Sequence, residues 1–199
     1  MTRRPTNWAG NIAFKAQQVH SPTSIESLQG LVRVGRSIRP LGTGHSFNRI
    51  ADTTGDHVSV HALPQVCSLD PVRSTVTVSA GMRYGELAGR LDAAGYALRG
   101  LGSLPHISVA GAIATGTHGS GNTVGNLASD VVALQLVTAR GDLAEISLED
   151  DGDSFCGAVL ALGALGVVTR VTLRVVPAYE MRQWVYDDLP RAAVDSHLE

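Results

Sequence analysis

The chain has 199 residues, 44% hydrophobic and 17% charged, with a net charge of −2 at pH 7; that length can bury one substantial core or two smaller ones around a shared site. The near-neutral balance and scattered arginines offer no basic face for nucleic acid, and no apolar run reaches the length of a membrane-spanning helix. Polar Asn7 and Asn11 follow Met1-Thr2-Arg3-Arg4-Pro5 where a signal peptide needs an apolar stretch, and two distant cysteines, Cys67 and Cys156, suit reduced core thiols, so a cytoplasmic location and a small-molecule partner are expected, with no nucleic acid and no membrane.

In chain order, residues 13–19 read as a strand, and Thr23-Ser24-Ile25-Glu26 as a capping box opening a helix with Ile25, Leu28, Leu31 and Val32 on one face. Residues 37–41 form the next predicted strand. It delivers the loop Gly42-Thr43-Gly44-His45-Ser46-Phe47-Asn48 to a strand end, where open α/β folds commonly bind ligands. Short strands follow at 57–60, 65–69 and 75–78, then a helix at 84–94 with Leu87, Leu91 and Ala94 at helical spacing and Gly95 as its stop. Residues 108–115 read as a short helix behind a serine N-cap, its amides aimed at an anion. A hairpin at 131–138 and 143–148 turns at Ala139-Arg140-Gly141-Asp142. Residues 155–165 are predicted helical, 167–176 a strand ending before Pro177. The tail from Tyr179, with Trp184, Tyr186 and Leu189, holds no complete element.

Two segments crowd glycine, small hydroxyls and histidine: 42–48, and Leu104-Pro105-His106-Ile107-Ser108-Val109-Ala110-Gly111 running into Ala114-Thr115-Gly116-Thr117-His118-Gly119-Ser120-Gly121. Glycine permits tight turns and leaves amide N–H groups uncovered to surround an anion, so both are candidate contacts to a phosphate-bearing cofactor. Neither is a standard nucleotide signature. Phe47 stands where a Rossmann fingerprint needs its third glycine, and Thr117 and His118 stand where a P-loop needs lysine and a hydroxyl residue. No Gly-x-Ser-x-Gly elbow exists for a nucleophilic serine. His57 and His61 lie in an alternating, strand-like segment that does not pair them as a helix would, so no metal site is expected.

With Gly163-Ala164-Leu165-Gly166-Val167-Val168-Thr169, these segments resemble the vanillyl-alcohol-oxidase (PCMH) type of FAD-dependent oxidoreductase, from Asn7 to about Pro190. The branch that oxidises alditols is nearest, with the sugar-lactone oxidases beside it. The resemblance implies an α+β fold: a PCMH-type FAD-binding domain over 7–177, built of two α/β subdomains (about 7–62 and 63–177). Family members are about twice this length, so 178–199 would begin the substrate domain, and that remaining half or a second polypeptide would complete the site.

The same resemblance implies roles for residues. His45 would attach covalently to the FAD ring system, a neutral imidazole being a competent nucleophile. Leu41, Gly42, Thr43, Gly44, His45, Ser46, Phe47, Ser103, Ser108, Gly111, Thr115, Gly116, Thr117, His118, Gly119 and Val168 would bind the cofactor. Val167 would stand with Val168 at its adenosine part. Ser103 would be the catalytic-side serine, holding a polyol oxygen near the flavin, and Gly102 would leave space for dioxygen. The implied reaction is oxidation of a polyol's primary alcohol with dioxygen as acceptor, or alternatively oxidation of a sugar lactone; a third reading is a flavin-binding module without turnover.

Overall fold

The computed structural model describes residues 5–185 and 187–196. Arg3, Arg4 and Tyr186, which entered the sequence reading, lie outside that range. Two sheets organise the chain. The smaller is parallel, in the order β1–β3–β2, built from β1 (Val19–His20), β2 (Ile38–Pro40) and β3 (Asp56–Val58). Helix α1 (Ile25–Val34) crosses over from β1 to β2. The larger sheet is antiparallel, β4–β5–β9–β7–β8, from β4 (Cys67–Asp70), β5 (Thr75–Ser79), β7 (Val131–Thr138), β8 (Leu143–Ser147) and β9 (Gly166–Arg174). A two-residue pairing joins β6 (Tyr96–Ala97) to β10 (Val176–Pro177).

Alternation explains the large sheet. Along β5 the valines Val76 and Val78 turn inward, while Thr77 faces Thr172 of β9 with their hydroxyls 2.9 Å apart. Helices α2 (Tyr84–Ala93), α3 (Val109–Ala114) and α4 (Leu148–Val159) cover the apolar face through Leu87, Leu91, Val109, Ile113, Phe155 and Val159. Each fully buried leucine there contributes about 1.5–3 kcal/mol. A second cluster joins the sheets: Leu28 and Val32 of α1 and Val58 of β3 pack with Val137 of β7 and Val167 of β9. Gln29 and Arg33 of α1 both donate to the Gly141 carbonyl in the β7–β8 turn.

The predicted strand over 13–19 shortens to Val19–His20. The amides before it reach three separate acceptors, Phe14 to Pro5, Lys15 to the Asp52 carboxylate and Gln17 to Gly55, so no single partner strand forms a ladder. The capping box of α1 sits one residue later than predicted, on Ser24 and Ser27, whose hydroxyls and amides pair reciprocally. Helix α4 begins at Leu148 rather than Phe155 and stops at Val159. Ser147 accepts the Asp150 amide, and Asp151 accepts the Ser147 amide, which starts the helix early. Gly152, at φ +52°, breaks its first turns. Cys156 is exposed on α4 and not a core thiol, and Cys67 is half-buried; both are free thiols. No described helix is long and apolar enough to cross a membrane.

Candidate functional site

The loop of residues 42–46 leaves the carboxyl end of β2 and is fastened by its carbonyls. Trp8 donates its amide to the Gly44 carbonyl at 2.8 Å, and the buried Asn7 side chain donates to the Ser46 carbonyl at 3.1 Å. Gly44 adopts φ +71°, where a side chain would be strained. By contrast, no described residue accepts a hydrogen bond from the amides of residues 42–46. Successive free amides in a turn form an anion-binding concavity.

The second segment meets the first at α3. Its N-terminal amides are largely spent inside the protein: Ser108 on the Thr43 hydroxyl at 3.2 Å, Val109 on the Met82 carbonyl and Ala110 on the Ala80 carbonyl. Among the described residues the Gly111 amide is left without an acceptor. Ser108 is the N-cap of α3, as predicted, but its side chain makes no cap hydrogen bond. Its hydroxyl is buried and unpartnered, in a slot between two glycines. A Cβ on Gly42 would stand 2.4 Å from that hydroxyl, and one on Gly111 2.6 Å.

His45 lies in an aromatic stack. Its ring is 5.0 Å from Trp8 at an interplanar angle of 23°, and 4.6 Å from the His106 ring. Nδ1 lies 2.9 Å from the Thr43 hydroxyl, while Nε2 is buried without a partner, as is His106 Nε2. Burial pushes the His45 pKa below the ordinary histidine value. The His106 and Arg83 charges push the same way, against a main-chain hydrogen bond to Thr43 that pulls it up. At neutral pH the imidazole is therefore neutral and its lone pair is available.

A cavity of about 630 Å³ opens beside the loop, within the range of small-molecule and cofactor pockets. It gathers Leu41, Gly42, Thr43, Gly44, His45, Ser46, Ser108, Gly111, Thr115, Thr117, Val167 and Val168 from the sequence-predicted set. It does not gather Phe47, Gly102, Ser103, Gly116, His118 or Gly119. Phe47 is 67% exposed. Ser103 is also exposed, His118 turns to the neighbouring Gly119 carbonyl, and a Cβ on Gly102 would meet Thr117 at 3.2 Å. The Thr115 hydroxyl donates back to the Gly111 carbonyl at 3.0 Å.

Among the lining residues that sequence did not predict, three are basic: Arg39, His61 and Arg83. Arg39 is held by the Ile50 and Leu162 carbonyls. Arg83 makes no ion pair with a described residue, and its backbone bridges to Ser108. No motif marks them, because they reach the cavity from β2, the turn after β3 and the turn before α2. The lining contains two arginines, two histidines and no carboxylate, and its far arm is apolar, with Leu134, Leu136, Ile146 and Leu165. A free-amide turn, a buried orphan hydroxyl, uncompensated cationic side chains and an apolar arm fit a dinucleotide with a negative diphosphate, as FAD has. No cluster of potential metal ligands occurs among the described residues.

Residues 16–147 match the family described as FAD binding domain. The chain is 46% identical to an alditol oxidase of Streptomyces sp. (strain IKD472 / FERM P-14339), over 98% of this chain and 47% of that protein. It is 38% identical to a putative D-arabinono-1,4-lactone oxidase of Neurospora crassa, over 87% of this chain and 32% of that protein. An L-gulonolactone oxidase of Bos taurus is 33% identical, over 97% of this chain and 46% of that protein. The chain thus spans from about a third to about half the length of these curated relatives.

Proposed function

The chain belongs to the FAD-binding domain family, and from that premise we propose that it is the flavin-holding part of an oxidase that takes a hydride from the primary alcohol of an alditol. When bound, FAD supplies a two-electron acceptor for the alcohol's C–H hydride and passes the electrons to dioxygen, giving hydrogen peroxide. The protein's part is binding and orientation. The free amides of 42–46, the Gly111 amide and the Ser108 hydroxyl hold the diphosphate. Arg83 adds an unpaired positive charge beside them. The apolar arm, with Val167 and Val168, takes the adenosine end and excludes water.

His45 is the candidate for covalent attachment, kept neutral by burial and by the charges of His106 and Arg83. Its place at the loop end of the cavity sets the ring system there. Ser103 and Gly102 lie outside the cavity lining; in this reading they keep the roles of polyol contact and dioxygen access in the completed site. A polyol substrate is favoured over a sugar lactone by the higher identity to the alditol oxidase, 46% against 38% and 33%. The observation that carries the flavin reading is the turn of unpartnered amides facing a cavity that holds no carboxylate.

The test is to load the purified chain with FAD, denature it in acid, and read absorbance and intact mass, with His45→Ala in parallel. One FAD retained by the wild type and lost in the mutant is expected. Anaerobic bleaching by xylitol or sorbitol but not by gulonolactone would then fix the substrate class; the reverse preference would select the lactone reading. Bound flavin that no alcohol or lactone bleaches would leave a binding module without turnover. A chain that takes up no flavin would overturn the assignment.

A further inference from the structure

We propose that Trp8 is the positioning residue for His45: its amide fastens the loop, while its indole sets the plane of the imidazole and keeps the ring turned to the cavity. This rests on the reading of His45 as the attachment residue.

Core packing does not account for Trp8. The side chain is 54% exposed and belongs to neither apolar core, so the fold leaves a large aromatic surface half in water. It does so from a rigid base. The preceding Asn7 is buried; its amide donates to the Ile12 carbonyl at 2.9 Å, its side-chain oxygen accepts the Ile12 amide at 3.0 Å, and its carbonyl accepts the Gly10 amide at 3.0 Å. From this turn the Trp8 amide reaches the Gly44 carbonyl, and the indole lies against the ring of the residue that follows, His45.

Three ring-centroid separations define the arrangement: 5.0 Å between Trp8 and His45, 4.6 Å between His45 and His106, and 5.6 Å between Trp8 and His106. They close a triangle, so both neighbours crowd one flank of His45 and leave the other open. Of the three rings only His45 lines the cavity, which puts the open flank there. Trp8 is the near-parallel neighbour, at 23°, whereas His106 is tilted by 55°. An imidazole held face to face with an indole cannot turn about its Cβ–Cγ bond without losing that contact. Both ring nitrogens lie in the plane so fixed.

Attachment joins a ring nitrogen to a methyl carbon of the flavin with loss of one hydrogen from each partner; the two protons and two electrons pass to dioxygen as hydrogen peroxide. Forming that bond depends on the alignment of the ring. Holding the diphosphate does not. Any substitution of Trp8 keeps its backbone amide, so the Gly44 carbonyl stays fastened and the cradle remains. Leucine removes the ring at similar bulk, and phenylalanine restores a ring.

The experiment compares wild type, Trp8→Leu and Trp8→Phe, with circular dichroism as the folding control. In the flavin-free chain, proton NMR follows the His45 ring protons, identified by their loss in His45→Ala; in the FAD-loaded chain, intact mass after acid denaturation times attachment. Wild-type ring protons should lie upfield, in the ring current of the indole, and move downfield in Trp8→Leu. Attachment in Trp8→Leu should slow about tenfold while FAD affinity changes less than about threefold, and Trp8→Phe should recover most of the rate. An unchanged rate in Trp8→Leu overturns the proposal. So do rate and affinity that fall together, or a Trp8→Phe chain as slow as leucine. If Trp8→Leu does not fold, the wild-type ring protons decide, and unshifted ones overturn the stack. If the wild type attaches no flavin at all, the attachment reading fails while the ring protons still test whether Trp8 holds the plane of His45.

Discussion

The two glycine-rich segments look alike in sequence and do opposite things with their backbone. In the loop after β2 the carbonyls of Gly44 and Ser46 are bound and the amides of 42–46 are free. At the start of α3 the amides of Ser108, Val109 and Ala110 are already bound by Thr43, Met82 and Ala80. A helix N-terminus offers an anion only the donors its own protein has not used. In the proposed reading the first segment is therefore the cradle and the second its wall, contributing the Gly111 amide and one buried hydroxyl.

The largest effect should come from Gly42→Ala, which puts a methyl 2.4 Å from the Ser108 hydroxyl at the contact between the two segments. Overpacking of that kind costs about 1–3 kcal/mol, and FAD affinity measured by fluorescence quenching should fall about 10- to 100-fold. Adding Ser108→Ala removes the clash and should recover part of the loss; a double mutant no better than the single would show that the slot is not what fails. Next, Asn7→Ala strips the Ser46 carbonyl of its donor and the Ile12 amide of its acceptor. Denaturant unfolding should register a loss of about 2 kcal/mol, with flavin affinity falling in step because the cradle loosens.

A smaller effect separates the segments by pH. The folded-state pKa of His45 lies below its unfolded value, so the unfolded chain binds more protons in acid. Its contribution to stability is complete above about pH 6.5 and is lost as pH falls through the folded value. Thermal unfolding of His45→Ala should show a shallower acid decline than wild type between neutral pH and about pH 5; equal slopes would remove His45 from the account. The smallest effect belongs to Thr115→Val. That hydroxyl is spent on the Gly111 carbonyl, so FAD affinity should change less than about threefold.

Local signals carried much of this architecture. The periodicity of Leu28 and Val32, and of Leu87 and Leu91, placed α1 and α2, and the alternation of Val76, Val78, Val171 and Leu173 placed the strands of the large sheet. The β7–β8 turn was legible from Gly141, which takes φ +80° there. What failed was non-local or competed for. Residues 13–17 have strand-like composition but no single neighbour to pair with. The start of α4 was readable in Ser147 and Asp150, a capping signal outweighed by the strand-like Leu143–Ile146 beside it.

At the site, glycine and hydroxyl residues announced both segments, because a turn with exposed amides needs that composition. Sequence gave no sign of which amides are free, since that depends on the carbonyls of Met82 and Ala80 two elements away. Trp8, Arg83 and His61 were equally invisible, brought in by packing alone. Ser103, just ahead of the Leu104–Gly111 run, and His118, inside the second segment, are both outside the cavity lining.

The most direct measurement is the backbone amide spectrum of the 15N-labelled chain as ADP, and then FAD, is added. The account predicts large shifts for the amides of residues 42–46 and Gly111, with Val109 and Ala110 nearly still. Shifts concentrated on Val109 and Ala110, with residues 42–46 unmoved, would contradict it and return the anion site to the helix.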